Sequence, residues 1–174
     1  LGLGADGKFA SSDDGLNVAR QNGKGVVLQA IEGFFAFELG YPVVMHTAHE
    51  FATSQEHQMR LVSLIQNAPH LHARVRDRGG YMMANGKESI NLKSGSRILF
   101  KARTKGGGRG LTGNKVVLDE AMFLQPQHMG ALLPTLAAVP DPQVVYGASA
   151  GLAESSVLRG VRDRGQAGGD PRLA

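Results

Sequence analysis

Apolar positions along this chain follow two spacings, and the switches between them mark its elements. From Lys24 to about Leu39 the apolar residues at 27, 28, 31, 34, 35 and 39 describe one face of a helix. Gly40 and Pro42 end it. "PVVMHTAH" (42–49) is a β-branched run with the character of a buried strand. Thr53 then caps a second helix, about Ser54 to Asn67, with Glu56 placed as in a capping box and Pro69 closing it. "ESINLKSGSRILFKART" (88–104) alternates apolar and polar residues on both sides of a Ser-Gly turn and predicts a β-hairpin. The short apolar runs in "GLNVA" (15–19), "KVVLDEA" (115–121) and "PQVVYGASAG" (142–151) predict three further strands. Helices are predicted over Gln127 to Ala138, despite Pro134, and over residues 154–164.

Strands alternating with helices imply a mainly parallel α/β sheet covered on both faces. Ligands of such sheets bind outside the carboxyl ends of the strands. Three strands end in suggestive residues, Ala19 before "RQNGK", Leu118 before "DE" and Tyr146 before "GAS", and these ends should converge.

Composition adds limits. The 174 residues suit one domain, and 42% hydrophobic with 20% charged residues is ordinary for a globular protein. The lack of cysteine excludes disulfides and cysteine-ligated zinc. The apolar runs are too short for a bilayer and no signal segment opens the chain, so no membrane role and a cytoplasmic setting are expected. The start at Leu1 and the Gly-rich end lead to the expectation of a fragment of something longer. Between Arg74 and Lys115, eleven Lys or Arg face only Asp77 and Glu88. That block suits a phosphate-rich partner, or equally a solvated hairpin with lysines guarding its edges.

"NVARQNGKG" (17–25) has the strand–loop–helix form of a phosphate-binding loop. Gly23 permits a tight turn, the helix start favours anions, and Lys24 adds a point charge for the β- and γ-phosphates. The general spelling G-x-x-x-x-G-K-[ST] fails twice, at Val18 and at Gly25. Gly-Lys alone is a weak signal, since it recurs at Gly7-Lys8 and Gly86-Lys87. "KVVLDEA" strengthens it: the apolar run Val116 to Leu118 leads to Asp119, suited to Mg²⁺, and Glu120, suited to polarising a water.

With "VVMHTAHEFATSQEHQMRL", "NLKSGSRILFKARTKGGGRGLTGNKVVLDEAMFL" and "ALLPTLAAVPDPQVVYGASAG", these motifs resemble the large terminase subunit of tailed double-stranded-DNA phages. The resemblance covers about residues 15–165. It implies a P-loop NTPase fold of the additional-strand catalytic-glutamate type, spanning 1–174, with a β-hairpin insertion and without the nuclease domain that follows in the family. It further implies ATP and Mg²⁺ as cofactors. Implied partners are double-stranded DNA, a portal protein, a small terminase subunit and copies of itself in a ring, in the cytoplasm of an infected bacterium. Terminases commonly carry Arg-Gln-x-Gly-Lys, so Val18 is no objection. Arg20, Gln21, Asn22, Gly23, Lys24 and Gly25 match the loop, with Arg20 as the γ-phosphate arginine and Lys24 as the phosphate lysine. Asp119 matches the metal-holding aspartate, Glu120 the catalytic glutamate, and Ser149 the motif coupling hydrolysis to movement. Arg109 is a second candidate arginine, for a neighbour's site, with a DNA contact as its alternative.

Gly25 remains the departure. Most members place a hydroxyl there as a Mg²⁺ ligand, so slow or weak turnover is expected of the isolated domain, to be compared with Gly25→Thr. Two alternatives stay beside the motor: a nucleotide-binding or DNA-binding ring-assembly module with little turnover in isolation, and a helicase-like P-loop translocase. "GASAG" (147–151) also spells a hydrolase nucleophile elbow, but no histidine follows Ser149 to complete that order. The six histidines are expected to be surface or strand-end residues, with His46 and His49 on opposite faces of their strand.

Overall fold

The computed structural model describes residues 2, 7–19, 21–84, 86–103, 113–149, 151 and 153–168. Seven strands form one sheet: β1 (Asp13–Asn17), β2 (Val43–Ala48), β3 (Tyr81–Met82), β4 (Ser89–Asn91), β5 (Arg97–Ala102), β6 (Lys115–Leu118) and β7 (Gln143–Ala148). Their spatial order is β1-β7-β6-β2-β5-β4-β3. From β1 to β5 every neighbouring pair is parallel. β4 and β3 add antiparallel pairs at one edge.

The core strands read as continuous apolar runs because both faces are covered. Along β6, Val117 packs into one layer while Val116 and Leu118 pack into the other. β7 divides likewise, with Val145 on the first side and Val144 and Tyr146 on the second. The first layer is completed by α1 (Lys24–Gly33) and α2 (Phe51–Gln66), the second by α4 (Pro126–Ala137) and α5 (Ser156–Ala167). The one-turn α3 (Pro69–His72) follows α2. No helix among the described residues is long and apolar enough to cross a membrane.

The hairpin forms where its pattern places it, β4 paired to β5. Gly95 turns it at φ 99°, a conformation other residues rarely adopt. The helix after the loop also forms, but its buried face is not the expected one. Its last turn, Phe34–Glu38, widens to a π-helix in which Leu39 N–H reaches Phe34 O at 3.0 Å. The extra residue rotates the sequence past the sheet. Leu28, Phe35, Ala36, Phe37 and Glu32 point inward, while Val27, Phe34 and Leu39 are exposed. The second helix starts at Phe51, three residues before the expected Ser54, because the chain turns directly out of β2. Glu50 is its N-cap without a side-chain hydrogen bond, so Thr53 lies inside the helix and caps nothing. The fourth helix starts at Pro126, with Gln125 and His128 forming a reciprocal cap.

At the opposite end from the loop side of the sheet, Lys115 is buried. Its Nζ lies 4.1 Å from the Tyr41 ring centroid and 4.2 Å from that of Phe9, and donates to Asp141 O at 2.7 Å. Arg103 is buried as well. Of the eleven cations in the basic block, these two are therefore structural and face no partner.

Candidate functional site

β1, β7 and β6 are adjacent and parallel, so their carboxyl ends share one edge. Gly23-Lys24, Asp119-Glu120 and Ser149 meet there, as the strand ends predict.

The loop before α1 turns through left-handed backbone at Gln21 (φ 62°) and Gly23 (φ 76°). Gly23 is the N-cap, and its carbonyl accepts the amides of Val26 and Val27 at 3.0 and 3.2 Å. The first helical amides, of Lys24 and Gly25, have no carbonyl a turn behind them in the helix. They give this end of α1 a partial positive charge.

Lys24 Nζ contacts Asp119 Oδ1, and the same oxygen accepts the Glu120 amide at 2.7 Å. Glu120 adopts left-handed backbone at φ 51°, and its Oε2 accepts the His49 amide at 3.0 Å. The two carboxylates are thereby turned to different partners. Lys24, His49, Glu120, Met122, Phe123 and Ser149 border a cleft of about 530 Å³. Ser149 is buried at its wall.

The Asp119-Glu120 turn is held from behind by Arg103, which the sequence offered only as one basic residue among eleven. Its guanidinium donates to Thr47 O and Oγ1, both at 2.9 Å, and to Asp119 O and Glu120 O at 2.6 and 3.1 Å. Burial pulls the Arg103 pKa down to about 10, against the opposing charges of Glu120 and Asp119. It remains charged at neutral pH and fixes where both carboxylates begin. Its place at the end of β5, one strand from β2, was the available signal.

Arg20 and Arg109 lie outside the described residues. Gln21 and Asn22 are exposed in the loop, and Gly25 opens α1 behind Lys24.

No protein-family model matches this chain, and no curated protein does. Solved structures do. The HK97 bacteriophage large terminase superposes with TM-score 0.75 at 17% identity, over 93% of this chain and 34% of that one. The chain has the fold of a phage large-terminase ATPase domain. Two structures of the ATPase domain of the Thermus phage P74-26 large terminase, one a point mutant, give TM-scores of 0.60 and 0.58 at 14% identity. They cover 87% and 86% of this chain and 65% and 64% of theirs. The chain thus spans about a third of the HK97 protein's length.

Within this terminase fold one cluster was misjudged from sequence. His46 and His57 are buried, not surface residues. Both rings point at Glu32, a fully buried carboxylate of α1: His46 Nδ1 lies 2.7 Å from Oε1 and His57 Nε2 2.8 Å from Oε2. The two rings stack at 3.8 Å. Burial opposes ionising Glu32, yet the charges and hydrogen bonds of His57 and His46 outweigh it and bring the pKa to about 2. Burial likewise opposes charging His57, and Glu32 reverses it, raising the pKa above 6.5. These three side chains offer ligand atoms within 4.8 Å of one another, a donor set that metals accept. Here each facing nitrogen is engaged by a carboxylate oxygen at hydrogen-bond distance. The signal was available: Glu32 interrupts an apolar helix face, and His46 sits mid-strand where no solvent reaches. His49, by contrast, is exposed, stacked on Phe123 at 4.6 Å.

Proposed function

We propose that this chain is an ATP-hydrolysing motor domain that drives double-stranded viral DNA into a procapsid. The observation that carries the reading is Lys24 joined to Asp119 at the carboxyl edge of the parallel sheet, with Glu120 beside them. β7 lies between β1 and β6, which supports the additional-strand catalytic-glutamate class of P-loop NTPases. The donor set suits a nucleotide with Mg²⁺: a helix start and a lysine for phosphates, and hard carboxylate oxygens for the ion. In this reading the backbone of residues 21–25 and Lys24 hold the phosphates, with Arg20 assisting, and Asp119 holds Mg²⁺. The ion, when bound, offsets charge on the phosphate oxygens. Glu120 orients the attacking water once it leaves the His49 amide, Ser149 couples hydrolysis to movement, and Arg109 reaches a neighbouring copy. Portal protein, small terminase subunit, a ring of copies and the infected host's cytoplasm follow from the same reading. It is supported by the terminase fold and by the loop and carboxylate motifs.

Gly25 favours a second reading, a nucleotide-binding module with little turnover. Glu120→Gln separates the two. For a motor, this variant keeps ATP affinity while hydrolysis falls by roughly 10²–10⁴. Hydrolysis equal in the native chain and the variant ends the motor reading.

A further inference from the structure

Glu32, His46 and His57 come from three elements, α1, β2 and α2, and meet inside the first packing layer. Glu32 and His46 are fully buried and His57 is 6% exposed. Groups of this kind reach a core only when paired with one another or bound to a metal. The imidazoles stack at 3.8 Å with their planes 16° apart, and both turn a nitrogen to the same carboxylate. One ligand atom from each residue lies within 4.8 Å of the other two.

The donor set selects the ion. Two imidazoles with one carboxylate, in a chain without cysteine, suit Zn²⁺, whereas Mg²⁺ and Ca²⁺ take oxygen shells. An ion bound at ~2.0–2.2 Å holds tetrahedral ligand atoms roughly 3.4 Å apart. The nitrogen–oxygen separations of 2.7 and 2.8 Å open to that span by side-chain rotation. His57 also borders a cleft of about 230 Å³ with Thr53 and Glu56, a route for the ion and for a water as fourth ligand. Burial lowers the His57 pKa and Glu32 more than restores it, so an arriving ion displaces a proton from the ring, as metals entering histidine sites do. His46 Nε2 is sealed without a partner, and an imidazole lacking that outer support binds ~10–100-fold more weakly. The affinity is therefore expected to fall short of a fully supported zinc site by that factor.

We propose that Glu32, His46 and His57 form a structural Zn²⁺ site that ties α1 to β2 and α2. The proposal does not depend on the nucleotide reading.

The whole chain is stripped with a chelator and titrated with Zn²⁺. Expected are one ion per chain, a raised Tm, and shifted ¹⁵N resonances at His46 Nδ1 and His57 Nε2. Glu32→Gln keeps the size of the side chain and removes its charge. It is expected to cut zinc affinity beyond the ~10–100-fold of a lost outer-shell partner. The double variant His70→Gln, His72→Gln alters the exposed histidines of α3 and is expected to leave the affinity unchanged. Zinc uptake by the native chain with the His46 and His57 resonances unmoved overturns the proposal, whether or not Glu32→Gln folds. Uptake that survives Glu32→Gln but is lost in the α3 variant also overturns it, as does a native chain that takes up no zinc.

Discussion

Asp141 shows how much one carboxylate organises. It accepts Tyr41 OH at 2.9 Å and the Phe9 amide at 3.3 Å, and its Oδ2 lies 3.3 Å from Lys115 Nζ. Burial opposes its ionisation, but the Tyr41 hydrogen bond and the Lys115 charge carry its pKa below the ordinary 3.8. The folded value being the lower one, its stabilisation is complete above the unfolded pKa and disappears as pH falls through the folded value. Asp141→Asn is therefore expected to be less stable than the native chain at pH 7, with the gap closing as pH drops below about 4. Urea midpoints at several pH values check this, and a constant gap contradicts it. None of this was legible in the sequence, because Phe9, Tyr41, Lys115 and Asp141 are brought together only by the sheet order. The catalytic candidates were legible, because Asp119 and Glu120 sit one and two residues beyond a patterned apolar run and Lys24 sits five beyond another, behind a glycine. Glu32, His46 and His57 were missed for the opposite reason. Each looks like a stray polar residue until the partner that satisfies it, two elements away, is in place.

At the scale of elements, β7 is the piece on which the site depends. Gly147 faces α1 so closely that a Cβ there would lie 2.8 Å from Leu28 Cδ1 and 3.6 Å from Asp119 Oδ1. The glycine lets α1 settle against the sheet beside the Asp119 carboxylate. Gly147→Ala is expected to displace Leu28 and destabilise the chain by about 1–3 kcal/mol, as overpacking does. Thermal unfolding tests it, and an unchanged Tm contradicts it. Periodicity found nearly every helix and strand here. It failed on part of the first helix face: Val27 is exposed within α1, and Phe34 and Leu39 are exposed at the π turn, which no propensity announces. It failed on the start of α2, because a capping-box pattern cannot tell that the chain has already turned at Glu50.

For the whole molecule, strand order carries the functional account. Inserting β7 between β1 and β6 sets the lysine loop and the Asp-Glu turn two strands apart, at a span that Lys24 bridges by contacting Asp119. The basic block is less uniform than its count suggests. Arg103 and Lys115 are buried, while Arg74, Arg76, Arg78, Lys87, Lys93 and Arg97 are exposed. Arg74 and Lys93 meet Glu38 and Asp77 there. On the proposed function, Lys24 and Asp119 meet where the phosphates and magnesium of a nucleotide bind. A crystal structure with a non-hydrolysable ATP analogue and Mg²⁺ tests it most directly. The expected result is phosphates on the amides of residues 23–25, Lys24 Nζ moved from Asp119 to a phosphate oxygen, and the ion at Asp119. Nucleotide bound elsewhere, or phosphates present with Lys24 still on Asp119 and no ion beside it, rules out a nucleotide site at this pair.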